Sequence, residues 1–113
     1  MLPIKYRLTK EKDFERAYKK GRNFGEKFIV CKAARNGLDF SRFGFVIGLK
    51  IEKRAVARNK LRRQLQEIAR TAMGSIKKGF DIVVFPKKEA KARDYEELKQ
   101  AFLAALKKAG IMK

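Results

Sequence analysis

Ala55-Val56-Ala57-Arg58-Asn59-Lys60-Leu61-Arg62-Arg63-Gln64-Leu65 reads as the opening of a helix that runs to about Met73. At roughly 100° per residue, Ala57, Leu61, Leu65, Ile68 and Ala72 form one apolar stripe. Arg58, Asn59, Arg62, Arg63, Gln66 and Arg70 form a polar sector on the other side. The stripe predicts the core-facing side. The sector has two readings, a solvated surface or a binding face. Lys50 to Arg70 carries eight Lys/Arg against two Glu, so ion pairs along the helix offset little of the repulsion between like charges. Arginine dominates the sector, and a guanidinium binds phosphate as a bidentate fork. Asn59 is a mediocre helix former, but its amide donates and accepts beside phosphates, riboses or a hydrated metal ion. Basic residues gathered on one face are the footprint of a nucleic-acid binder.

The bulk numbers agree. A chain of 113 residues, 45% of them apolar, makes one domain with a modest core. Its net charge of +18 points to a polyanion partner, nucleic acid first and a basic membrane-surface role second. The longest apolar run, Ala101 to Leu106, is far too short to span a bilayer. No apolar signal-peptide core follows Met1, so the expected compartment is cytoplasmic, with no membrane partner. Cys31 stands alone, which excludes an intrachain disulfide and a cysteine metal cluster. Within Phe28-Ile29-Val30-Cys31 it reads as a small strand hydrophobe rather than a nucleophile.

The sequence contains no histidine, which removes the commonest general base and imidazole metal sites. The twelve acids lie mostly in predicted helices among Lys and Arg, with no carboxylate cluster suited to metal-assisted hydrolysis. No glycine-rich phosphate loop is present. The expectation is a chain with no catalytic residue, no metal site and no small-molecule substrate of its own.

Thr9 reads as the N-cap of a first helix, with Glu11 and Asp13 in its first turn and Gly21 ending it. Phe14, Ala17 and Tyr18 share one face, and for the two aromatics core packing and a binding role are both open. Phe24 to Arg35 reads as a strand centred on Phe28-Ile29-Val30-Cys31, with a short separate strand before it near Asn23. Asn36-Gly37 signals a turn. Ser41 to Lys50 reads as the next strand, Phe43, Phe45, Ile47 and Leu49 on one face and Arg42, Gly44, Val46, Gly48 and Lys50 on the other. The two glycines serve either sheet twist or close approach of another chain. After the basic helix, Gly74 and Gly79 break the chain. Phe80 to Phe85 is a short buried strand stopped by Pro86, and Lys87 to Arg93 a basic loop. Asp94-x-x-Glu97 is a capping box for a last helix with Leu98, Phe102, Leu103 and Leu106 on its apolar face, closed by Gly110.

Ala-Val-x-Arg-Asn-x-x-Arg-Arg, following a strand and entering a helix, resembles the signature of the bacterial ribonuclease P protein subunit family. Lys50, Ala55, Val56, Arg58, Asn59, Arg63 and Glu67 match the family pattern, and Arg62 is a conservative change from Lys. Ile51, Lys53 and Gln66 depart from its usual Lys, Gly and Arg. The resemblance covers nearly the whole chain. It implies an α+β fold, an αβββαβα two-layer sandwich like domain 2 of ribosomal protein S5, with a mixed sheet and a left-handed crossover. General sheet physics favours the right-handed one. It implies a single RNA-binding domain over residues 1–113 that assists removal of the 5′ leader from precursor tRNA, with the active site and most of the Mg²⁺ in the RNA subunit. The partners implied are ribonuclease P RNA and the precursor tRNA 5′ leader. Arg58, Asn59, Lys60, Arg62, Arg63 and Arg70 are then expected on the catalytic RNA. Phe14, Tyr18, Ile29 and Cys31 are expected to line a groove for leader bases, with Arg7, Lys50 and Arg54 along the leader backbone. Two rivals stand beside this reading: a ribosomal or other structural RNA-binding protein of the same fold, and a metal nuclease built from scattered acids.

Overall fold

A computed structural model of the chain describes residues 2–113. Four strands form the sheet, β1 (Arg22–Glu26), β2 (Ile29–Arg35), β3 (Arg42–Phe45) and β4 (Phe80–Pro86). They lie in the order β1-β2-β4-β3. β1 and β4 are both antiparallel to β2, and β3 is parallel to β4. Three helices complete the fold, α1 (Glu11–Lys20), α2 (Ala55–Ala72) and α3 (Tyr95–Lys108). This is the expected α+β arrangement, helix, three strands, helix, strand, helix, with a mixed sheet.

Register divides the sheet into two faces. Cys31 pairs with Val84, Ala33 with Ile82, and Phe43 and Phe45 with Ile82 and Val84. These side chains form the main core with Leu61, Leu65 and Ile68 of α2 and Leu98, Phe102 and Leu106 of α3. The predicted apolar stripe of α2 is therefore the core side, with Ala69 buried beside it. On the opposite face Val83 packs with Leu8 and Ala17, flanked by Phe14, Val46 and Phe85. Burial pushes the Cys31 thiol up to about 12, which leaves it an inert hydrophobe.

Several local expectations are corrected. Phe24 to Arg35 is not one strand. It folds back at Lys27, whose φ of 54° is left-handed, and Phe28 lies in that turn rather than at a strand centre. A lysine in this conformation costs about 1–2 kcal/mol. Burial of Phe28 and its carbonyl's bond from Lys87 N, 2.7 Å, hold the turn. Likewise, the predicted Ser41 to Lys50 strand stops at Phe45. Ile51 N bonds Gly48 O at 3.0 Å, so Lys50 sits in a turn. The N-cap of α1 is Lys10, not Thr9, and no side chain caps it. Gly21 ends α1 in extended conformation, and a Cβ there would strike the carbonyl oxygen of Ala17. Close approach, not a positive φ, demands glycine at that position.

The end of α3 follows its local chemistry. Glu97 N bonds Asp94 Oδ1 at 2.8 Å and Asp94 N bonds Glu97 Oε1 at 3.3 Å, completing the predicted box. Gly110, at φ 73°, sends its N–H to Lys107 O while Ile111 N reaches Leu106 O, a Schellman stop.

One interaction seats α1 on the sheet. Asp81 is fully buried. It accepts from Arg42 Nε and Nη2 at 2.8 Å, from Arg16 Nη2 at 2.7 Å and from Asn36 Nδ2 at 2.9 Å. Asp13 pairs with the same two arginines at 3.3 Å. Burial alone would raise the Asp81 carboxyl; the bonds from Arg42, Asn36 and Arg16 outweigh it and hold it below the usual carboxylate range. Removing one member of a buried ionic group strands the rest. Asp81→Ala should therefore lose about 3–5 kcal/mol of stability in denaturant melts. A loss under about 1 kcal/mol would show that the group does not clamp α1.

Candidate nucleic-acid interface

The entry to α2 has unusual electrostatics. Its first turn carries no acid and no side chain caps it. Arg54, Arg58 and Lys60 crowd the positive end of the helix dipole, where acids would be favourable. The chain compensates locally through Glu52, which is only 6% exposed. Its Oε1 accepts from Arg54 N at 3.1 Å and Arg54 Nε at 2.9 Å, and its Oε2 pairs with Lys91 Nζ at 3.1 Å. The Arg54 side chain, then its N–H, then Lys91 pull the Glu52 carboxyl down to about 2. Arg58 Nη1 donates to Glu52 O at 3.0 Å and Lys53 O at 2.8 Å. Arg58 thus ties down the preceding loop, a structural duty the sequence reading did not anticipate.

The rest of the sector is presented outward. Asn59, Lys60 and Arg63 are exposed and Arg62 half-exposed. Arg62 Nη1 bonds Asn59 Oδ1 at 3.0 Å, so one turn offers a guanidinium already oriented by an amide. Arg70 stands apart in the last turn. Its guanidinium forks onto Glu67, a partner given no weight in reading the sequence. The exposed Val56, at 80%, adds an apolar spot beside these cations.

A second feature lies under α1. Phe14 and Tyr18 have ring centroids 6.5 Å apart, and Tyr18 and Phe85 5.9 Å apart, forming one aromatic line. Lys32 Nζ sits 5.7 Å from the Tyr18 ring centre and donates to Tyr18 O at 3.0 Å. Phe14 is wedged onto Gly44, where a Cβ would come within 2.6 Å of its ring. Gly44 therefore admits the chain's own phenylalanine. Tyr18 is 40% exposed and is the most open ring of the line.

Ile29 and Cys31 do not belong to this groove. Both are 0% exposed in the main core on the α2 and α3 face. Residues one place along, Val30 and Lys32, share the register of Phe85 and Val83 on the α1 face. Phe85 was missed. Its signal was period-2 alternation in Phe80 to Phe85, which sets Asp81, Val83 and Phe85 against Ile82 and Val84. The cations expected along the leader backbone lie on the β3 side. Arg7 bridges to Phe43 and donates to Leu2 O at 2.6 Å, Lys50 is exposed in the turn after β3, and Arg54 opens α2.

Among the described residues no three His, Cys, Asp or Glu side chains gather as a metal ion would require, and no helix is long and apolar enough to cross a membrane. Fold and surface together define a small basic α+β sandwich protein with a cationic helix entry and an aromatic groove on opposite sheet faces. The ribonuclease P family profile matches residues 2–110. The chain is 32% identical over 111 residues to the ribonuclease P protein component of Syntrophomonas wolfei, covering 98% of this chain and 92% of that one. It is 40% identical over 106 residues to that of Thermotoga maritima, covering 90% of each. The solved RNase P protein of Thermotoga maritima superposes with a TM-score of 0.83 at 37% identity, over 90% of this chain and 96% of that one. A Staphylococcus aureus RNase P protein mutant superposes with a TM-score of 0.87 at 30% identity, over 95% and 90%. The chain belongs to the ribonuclease P protein component family. Membership makes it a component in tRNA 5′ processing and implies an RNA partner.

Glu52 supplies a pH test of the helix entry. Its folded pKa lies below the ordinary 4.5, so its stabilisation is complete above about pH 4.5 and fades as pH falls toward 2. Glu52→Gln should melt below the parent by a constant margin near neutrality, and that margin should shrink below pH 4.5. A margin independent of pH would mean the carboxylate charge is irrelevant there.

Proposed function

We propose that the protein is the subunit of ribonuclease P that holds the catalytic RNA through the entry of α2 and the 5′ leader of precursor tRNA through the groove beside α1. The observation that carries this reading is the outward turn of Asn59, Lys60, Arg62 and Arg63 in a chain of this family. Arg58 supports the same surface by fixing its loop, and Arg70, forked onto Glu67, stands further along the same helix. Phe14 and Tyr18, with Phe85 beside them, offer faces on which single-stranded bases stack without sequence preference. Arg7, Lys50 and Arg54 follow the leader backbone along β3. The chemistry of cleavage belongs to the RNA. Mg²⁺ belongs mainly to the RNA as well, because Glu52, Glu67 and Asp81 are engaged by arginines and the donor set here does not fit a resident ion. The complex works in the cytoplasm.

The direct test adds the purified protein to a ribonuclease P RNA at low Mg²⁺. Cleavage at the mature 5′ end should appear with both and with neither alone. Cleavage by RNA-free protein would overturn the division of labour. Leader recognition is read separately. Tyr18→Ala should weaken holoenzyme affinity for precursor tRNA by about 1–3 kcal/mol while affinity for mature tRNA stays unchanged. Tyr18 is the better probe, because truncating Phe14 also opens the packing on Gly44. Equal losses for both RNAs would place the leader elsewhere.

A further inference from the structure

Past the last turn of α1, a depression of about 480 Å³ opens between the end of α1, the β1–β2 edge and the loop before β4. Lys20, Arg22, Arg35, Lys77 and Lys78 line it, and no carboxylate does among the described residues. The five cations are exposed, and the acids in the ion pairs of the described residues, Asp13, Glu52, Glu67, Asp81 and Glu97, all lie elsewhere. Five uncompensated charges around one hollow repel one another and favour any anion that enters it.

Their backbone is fixed. The tight passage at Gly21, against Ala17 O and Ala33 O, brings Lys20 and Arg22 to the β2 side, and Arg22 pairs with Ala33. The Arg35 guanidinium lies 5.2 Å from the Phe80 ring centre, within cation–π range. Lys77 N bonds Ile111 O at 2.7 Å, and Asn36 N bonds Gly79 O at 2.9 Å, so the loop carrying Lys77 and Lys78 is tied to the segments that follow α3 and β2. The hollow continues. Lys77 and Lys78 also line a second depression of about 300 Å³, with Lys5 and Lys113 and a single acid, Asp39. A cationic strip over two hollows that share Lys77 and Lys78 matches a run of phosphates on a polymer better than one small anion.

The strip runs away from the α2 entry and from the Phe85 end of the aromatic line, although Lys20 lies two residues beyond Tyr18 on α1 and Lys5 two residues before Arg7. The second hollow includes Met73 and Gly74, just past the last residue of α2. The 18 residues of α2 place it roughly 27 Å from the Arg54 end. Phe80 and Phe85 sit at opposite ends of β4, roughly 17 Å apart.

We propose that this strip is a further RNA-backbone site, taking phosphates of a segment distinct from those at the α2 entry and the α1 groove. The inference rests on the reading of the protein as an RNA-bound subunit. The test compares Arg22→Gln/Arg35→Gln/Lys78→Gln with the parent, binding ribonuclease P RNA and, separately, a leader oligonucleotide crosslinked in the holoenzyme, across a salt series. With an unchanged melting curve, the slope of log K against log salt for the RNA should fall by about 2–3, at about 0.7–0.9 per phosphate. Leader crosslinking should not change, and Arg22→Lys/Arg35→Lys should keep the parental slope. Combination with Arg62→Ala should add its loss independently. If the triple variant melts early, Lys77→Gln/Lys78→Gln in the exposed loop carries the test, with a slope change of about 1.4–1.8 expected. Parental slope and affinity in the folded variants overturn the site, as does a loss confined to the leader. Parental protein with no affinity for the RNA overturns instead the proposed function on which the site depends.

Discussion

A carboxylate fully out of water costs far more than any single contact returns unless cations and donors surround it. Asp81 meets that condition with Arg16, Arg42 and Asn36, and Asp13 balances the second guanidinium. Two acids and two arginines make a neutral set that joins α1, β3, β4 and the turn after β2. The apolar contact of α1 with the sheet is small, with Leu8, Ala17 and Val83 at its centre. The ionic set therefore fixes where α1 lies. Phe14 follows Asp13 directly and Tyr18 lies one turn on, so the helix repeat spaces the two rings and the same buried charge places them on the sheet.

At the entry of α2 the chain runs against local preference. Cations where the dipole wants anions, with no cap, weaken a helix. Glu52 and the two carbonyls held by Arg58 recover part of this from within the preceding loop. The remainder is left exposed on Asn59, Lys60, Arg62 and Arg63. A local rule broken without full internal compensation is the mark of a surface completed by a partner, here one bearing negative charge.

What could be read from sequence was local chemistry with a fixed period or a cap. The stripe of α2, the Asp94–Glu97 box and the Gly110 stop depend on neighbours a few residues away, and each stands where expected. The hairpin at Lys27 escaped because no glycine or asparagine marks it; its turn is held by Phe28 and Lys87, which sequence distance hides. Missing that turn left the parity of β2 open. Parity decides whether Ile29 and Cys31 or Val30 and Lys32 face α1, and pairing with β4 chose the latter. The Asp81 set joins residues up to 65 positions apart, and nothing near Asp81 in the chain announces it. Phe85 lies on the same face of β4 as Asp81, and a short buried strand does not by itself say which of its residues faces α1.

The distribution of acid explains how a chain with a net charge of +18 folds while keeping cationic surfaces. Asp13 and Asp81 serve the α1 clamp, Glu52 the α2 entry, Glu67 the last turn of α2, and Glu97 both its capping box and Arg93. Each sits where a fold element needs a charge neutralised. The outward cations Lys60, Arg62 and Arg63 of α2 and the Lys77–Lys78 side receive none of these. Repulsion between those faces opposes the compact state, and screening by salt relieves it. The same screening weakens attachment to phosphates. Salt thus acts with opposite signs on folding and on RNA binding, and a bound polyanion supplies what salt supplies to the free chain. The fold tolerates its excess charge because the apolar core and these placed acids suffice to close it, while the remaining cations are left for a partner that stabilises the folded chain by binding it.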